Sequence, residues 1–144
     1  MAETRTPKLE PEAALSPGRS ALAVFAGFVV LQILGVLFSL MAGTLWPALY
    51  PSGEGAGPTD GGLGLWLAAE LANATLAGLL TARLAGRAPV AHAAVLAAIN
   101  GFFSMAAMGE LRALPGWFAI GFVALAPLGC LLGGLVASRV RPRA

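Results

Sequence analysis

Five residues could do chemistry inside otherwise apolar stretches: Gln32, Glu70, Asn73, Asn100 and Ser104. A carboxylate within a hydrocarbon span is costly and marks a proton relay or ion path by default. Glu70 therefore has two chemical readings. It is a proton-coupled carboxylate in a transport path, or a protonated acid that ties helices together. The ties available are Asn100, Ser104 and the carbonyl of Val123, which Pro127 leaves without its usual helical donor. Interhelical amide bonds of this kind contribute about 0.6 kcal/mol each. Counted from the outer ends of their spans, Gln32, Asn73 and Asn100 lie about ten or eleven residues deep, roughly 15–17 Å along a helix. That is near the midplane of a bilayer core about 30 Å thick. Glu70 and Ser104 fall about one turn, or 5.4 Å, further out. The spacing predicts one polar layer built from three spans.

Other chemistry is poorly supplied. The chain has one cysteine, Cys130, and one histidine, His92. One cysteine cannot form an intramolecular disulfide, and neither residue type is numerous enough for a conventional metal site. No nucleophile, base and orienting group occur as a set, and no phosphate-cradling or dinucleotide motif is present. The expectation is a non-enzymatic protein with no cofactor and no metal.

The elements that must position these residues follow from composition. Of 144 residues, 58% are hydrophobic and only 11% charged, against about 25% charged in soluble domains. A membrane-crossing helix needs about 20 apolar residues. Four stretches qualify, near 20–43, 62–83, 90–109 and 116–138. The fold class is thus all-α, a polytopic four-helix transmembrane domain over residues 20–138. A polar, proline-bearing tail over 1–19 reads as disordered, and residues 139–144 form a short basic tail. The Gly/Pro-rich segment 47–61 is a loop by its turn chemistry. Pro89 and Pro115 stand where helices start.

Charge sets the threading. Arg5, Lys8, Arg19, Arg83, Arg87, Arg139, Arg141 and Arg143 fall on one side, and Arg112 alone on the other. Excess arginine and lysine marks the cytoplasmic side, so both termini are expected there. Glu54, Asp60 and Glu110 then face outward, with Trp46, Tyr50, Trp66 and Trp117 near the outer interface. The basic residues gather at helix ends rather than on a patch, which argues against nucleic acid as a partner. Arg83, Arg87, His92 and Arg139 are candidate contacts for lipid headgroups or another anion.

Small residues recur at helical spacing. Ala74, Gly78 and Ala82 form one ridge; Cys130, Gly134 and Ser138 form another, with Gly129 and Gly133 beside it. Such ridges let backbones approach closely in lipid, either within the chain or between two copies. Ala77–Arg87 also aligns without gaps on Gly133–Arg143, with Gly78/Gly134, Leu79/Leu135, Arg83/Arg139 and Arg87/Arg143 identical. Two parallel repeated hairpins would explain that; so would two Ala/Gly/Leu-rich helices that both end in arginine.

Two motifs, Ala82-Arg83-x-x-x-Arg87-x-Pro89-x-x-His92 and Leu114-Pro115-x-Trp117-Phe118, lie within a stretch from Ala21 to Arg139. That stretch resembles a widespread group of small four-helix bacterial integral membrane proteins of unassigned function. The resemblance implies the bacterial cytoplasmic (inner) membrane and an architecture, and carries over no catalytic residue. The leading expectation for function is a structural or accessory component of a membrane assembly. Its partners would be the bilayer and a homodimer or larger membrane complex. The alternative is a small dimeric proton-coupled transporter or channel using Glu70.

Overall fold

The computed structural model describes residues 17–53 and 55–140. The expected disorder over 1–16, the outward placement of Glu54, and Arg141 and Arg143 lie outside the described residues. Within them the regular structure is helical: α1 (Pro17–Leu45), α2 (Asp60–Ala85), α3 (Pro89–Ala106), a 3-10 helix (Ala107–Ala113) and α4 (Gly116–Val140). All four spans are long and apolar enough to cross a membrane.

The boundaries have local causes. α1 starts at Pro17, earlier than its apolar run, because a proline at the first helical position needs no N–H partner; Arg19 is therefore helical. At the start of α2, Thr59 Oγ1 accepts from Gly62 N–H at 3.1 Å, satisfying one of the free amides of the first turn. Gly86 ends α2 at φ +75, a conformation glycine adopts without a Cβ penalty. The third span departs from an expected α-helix to Gly109. It tightens at Ala107 into the 3-10 helix and ends at Leu114, extended as the residue before a proline must be.

Contacts fix the direction of each helix. Gly27 of α1 meets Ala77 and Thr81, while Leu49 and Tyr50, just past α1, meet Gly62. α1 and α2 therefore run antiparallel. Gly134 meets Ala93, and Gly101 meets Pro127, so α3 and α4 are antiparallel too. Gly129 sits on Leu71 and Ala74, and Gly133 on Thr75 and Gly78, which makes α2 and α4 parallel. Arg19, Arg83, His92 and Arg139 thus share one end of the bundle. Trp46, Tyr50, Trp66 and Trp117 belong to the other half.

The α2–α4 seam is the tightest. Gly78 lies against the Cys130 carbonyl and Gly133 against the Thr75 carbonyl, where no Cβ would fit. Dispersion needs this closeness, since lipid tails are as apolar as the side chains and supply no hydrophobic drive between helices. All four glycines of the predicted ridges pack within the chain, Gly78, Gly129 and Gly133 between α2 and α4, and Gly134 between α4 and α3. The aligned pair Gly78 and Gly134 therefore do different work, one facing α4 and the other α3. The core is Leu31, Ala74, Ala77, Leu96, Ala97 and Cys130.

Candidate functional site

α1 is the least embedded helix. Its buried residues are Ala23, Gly27, Leu31 and Ala42, mostly one stripe at a spacing of four. It packs on α2 and α3, and among the described residues its backbone does not closely approach that of α4. The seam between α1 and α3 is bridged by Phe28 and Phe103, whose ring centroids are 5.4 Å apart, with a hollow on either side. Towards the tryptophan-bearing half it holds a cleft of about 390 Å³, and towards the arginine end a second hollow of about 590 Å³ lined by apolar residues with Ser20 and His92.

The first cleft gathers the predicted polar residues from three helices. Gln32 and Ser39 enter from α1, Glu70 from α2, and Asn100 and Ser104 from α3. Helical spacing explains each grouping. Gln32, Val36 and Ser39 lie at i, i+4 and i+7 on one face, as do Trp66 and Glu70 at i and i+4. Asn100 and Ser104 are again one turn apart and are 5% and 4% exposed. Trp66, Phe103 and Phe122 complete the apolar lining. Asn73 is half-buried and does not line the cleft. Three residues beyond Glu70, it is turned about 60° around α2 from that face.

Glu70, Asn100 and Cys130 are close enough to interact electrostatically. The Asn100 amide lies beside the other two, but its buried Nδ2 makes no hydrogen bond of good geometry with either. In hydrocarbon an unsatisfied polar group costs several kcal/mol, so this donor gains from any acceptor that enters the cleft with better geometry. No lysine, arginine or histidine lines the cleft among the described residues, which leaves Glu70 without a countercharge there. The expected tie from Glu70 to the Val123 carbonyl is not among the hydrogen bonds of the described residues. The Pro127 ring instead lies beside Gly101 of α3.

The remaining candidates lie elsewhere. Arg83, Arg87 and Arg139 are exposed at the arginine end. His92 is half-buried, its Nδ1 3.0 Å from the Ala88 carbonyl. Among the described residues no three His, Cys, Asp or Glu side chains gather as a metal site.

Sequence reasoning missed Ser39, Phe103 and Phe122 as lining residues. Ser39 was detectable as the i+7 neighbour of Gln32. The two phenylalanines gave no such signal, because one phenylalanine in an apolar helix looks like any other. An aromatic cluster was also hidden: Phe38 stands 6.3 Å from Trp46, 6.4 Å from Tyr50 and 6.5 Å from Trp66. Trp66 is in turn 5.8 Å from Phe118. Set against known proteins, the chain matches no family model, no curated protein and no solved structure.

Proposed function

We propose that this is a non-enzymatic, multi-pass membrane protein that takes a small solute into the α1–α3 cleft, as a dimeric proton-coupled transporter or channel using Glu70. One observation carries the reading: a lone carboxylate and an incompletely bonded amide donor, from different helices, line one cleft. Groups whose role was only to tie helices together would meet in good hydrogen-bond geometry, and Asn100 Nδ2 does not, though it lies beside Glu70 and Cys130. Glu70 would exchange its proton as the solute enters and leaves, with Ser104 and Gln32 as further hydrogen-bonding groups. Four helices enclose little volume, which favours a pair of chains as the working form. The test is reconstitution into liposomes under an imposed pH gradient. Flux that Glu70→Gln abolishes is expected; wild-type liposomes no leakier than empty ones contradict the proposal.

A second reading is a structural or accessory component of a larger membrane assembly. The small-residue ridges no longer support it, since they pack within the chain. The exposed apolar face of α1, with Leu22, Phe25, Leu37 and Leu40 uncovered, does. Purification from native membrane in mild detergent tests it: a stoichiometric partner favours this reading, and a chain that elutes alone removes it.

The proposal includes location. Arginine clustered at one end of the bundle supports a bacterial inner-membrane protein with both termini cytoplasmic. The motifs around Arg83–His92 and Leu114–Phe118 support its place among small four-helix bacterial membrane proteins. Arg83, Arg87, His92 and Arg139 would then meet lipid headgroups. Reporter fusions at each terminus that are active only outside the cell would reverse the threading.

A further inference from the structure

The cleft is chemically asymmetric in a way that narrows its ligand. It offers one acidic group, Glu70, and no basic one among its lining residues. A carboxylate in a water-poor site is matched by a single positive charge that can also donate to it. Around it stand the rings of Trp66, Phe103 and Phe122, whose faces attract a cation and accept an apolar body. Asn100 adds a buried Nδ2 donor that makes no hydrogen bond of good geometry within the chain, which an ammonium group cannot satisfy but an oxygen can. A volume of about 390 Å³ is within the range of pockets that take drug-sized molecules. The lining residues come from membrane-spanning helices, so a ligand that partitions into hydrocarbon suits the site.

We infer that the cleft binds a lipophilic organic monocation. Its ammonium group pairs with Glu70, an oxygen close to that nitrogen accepts from Asn100 Nδ2, and its apolar body lies against Trp66, Phe103 and Phe122. An amino alcohol or amino ether on an aromatic body has all three parts. This rests on the cleft being the working site, and it adds the class of molecule that occupies it.

The experiment uses full-length protein in lipid nanodiscs, with propranolol as the probe and its N-acetyl derivative as the uncharged counterpart. Binding to empty nanodiscs is subtracted. Saturable binding of propranolol is expected, weakened about tenfold or more by Glu70→Gln, the worth of one charge-assisted hydrogen bond. Asn100→Leu keeps the charge and should weaken binding about fivefold, the worth of one neutral hydrogen bond. Glu110→Gln, in the exposed 3-10 helix, should change nothing. Glu70→Gln is nearly isosteric, and an unchanged melting temperature shows that it folds. Equal binding of propranolol and its acetyl derivative overturns the inference, as does a Glu70→Gln variant of undiminished affinity. Saturable binding of only the acetyl derivative, weakened by Asn100→Leu, overturns the cation while leaving the cleft as a binding site. No binding of either compound also overturns it, and the liposome flux assay then decides the cleft separately.

Discussion

Replacing Gly129 by alanine tests whether backbone closeness between α2 and α4 holds the bundle together. The new methyl would stand 2.6 Å from Ala74 Cβ and 2.9 Å from the Leu71 carbonyl oxygen. Ordinary contact begins near 3.4 Å, so the helices must part by about 0.8 Å, and a gap of that size forfeits a quarter to a half of the dispersion well. The neighbouring contacts, Gly78 on Cys130 and Gly133 on Thr75, are opened by the same movement. Overpacking of this kind costs about 1–3 kcal/mol, and the backbone obstacle sets the cost here near the upper end. Alanine recovers about 1 kcal/mol through helix propensity, leaving a net loss of about 1–2 kcal/mol. Gly35→Ala is the control, since nothing lies within 4 Å of a Cβ there; it should gain about 0.5–1 kcal/mol. Reversible unfolding of purified protein by titrating a denaturing detergent into micelles measures both. A Gly129→Ala protein as stable as Gly35→Ala would refute the packing account.

Three further outcomes follow from the packing and hydrogen bonds of the bundle. Thr81 is fully buried and its Oγ1 has no partner, so Thr81→Val, which keeps the shape, should stabilise by about 1 kcal/mol in the same titration. Tyr50 donates from its hydroxyl to the Gly62 carbonyl at 2.5 Å, and burial pushes its phenol above the ordinary value. The folded state then holds that proton more tightly than the unfolded one, so stability is flat at neutral pH and falls as pH rises past about 10. Tyr50→Phe should abolish that fall, and a pH titration of the melting temperature shows whether it does. Gly134 meets Ala93 inside the chain, so Gly134→Leu should lower the stability of the monomer itself; a stable chain with only its oligomeric state changed would contradict the packing described for α4.

What the sequence disclosed depended on how local the signal was. Spans, loops and the arginine end follow from hydropathy and charge and needed no tertiary knowledge. The depth of Gln32, Glu70 and Asn100 could be counted along helices, and these residues meet in one cleft. Asn73, equally deep, does not join them because depth says nothing about azimuth on α2, and that depends on which neighbour each face meets. The small-residue ridges were visible as ridges. Their partners were not, since close approach within the chain and between chains use the same spacing. Nor could sequence disclose that α1 stands apart from α4, because α1 is apolar on all sides and no face of it is marked for burial. The cleft lies beside that separation, lined by α1, α2, α3 and Phe122 of α4, and the proposed binding at Glu70 rests on it.

The central claim is that Glu70 can be reached from the hydrocarbon through the gap between α1 and α3. Reaction of the membrane-embedded protein with a lipid-soluble carbodiimide, followed by peptide mass spectrometry, measures this directly. An adduct on Glu70 is expected, and it is blocked when Gly35, which lines the cleft, carries a tryptophan. An unmodified Glu70 in wild-type protein, or modification that Gly35→Trp leaves unchanged, would contradict it.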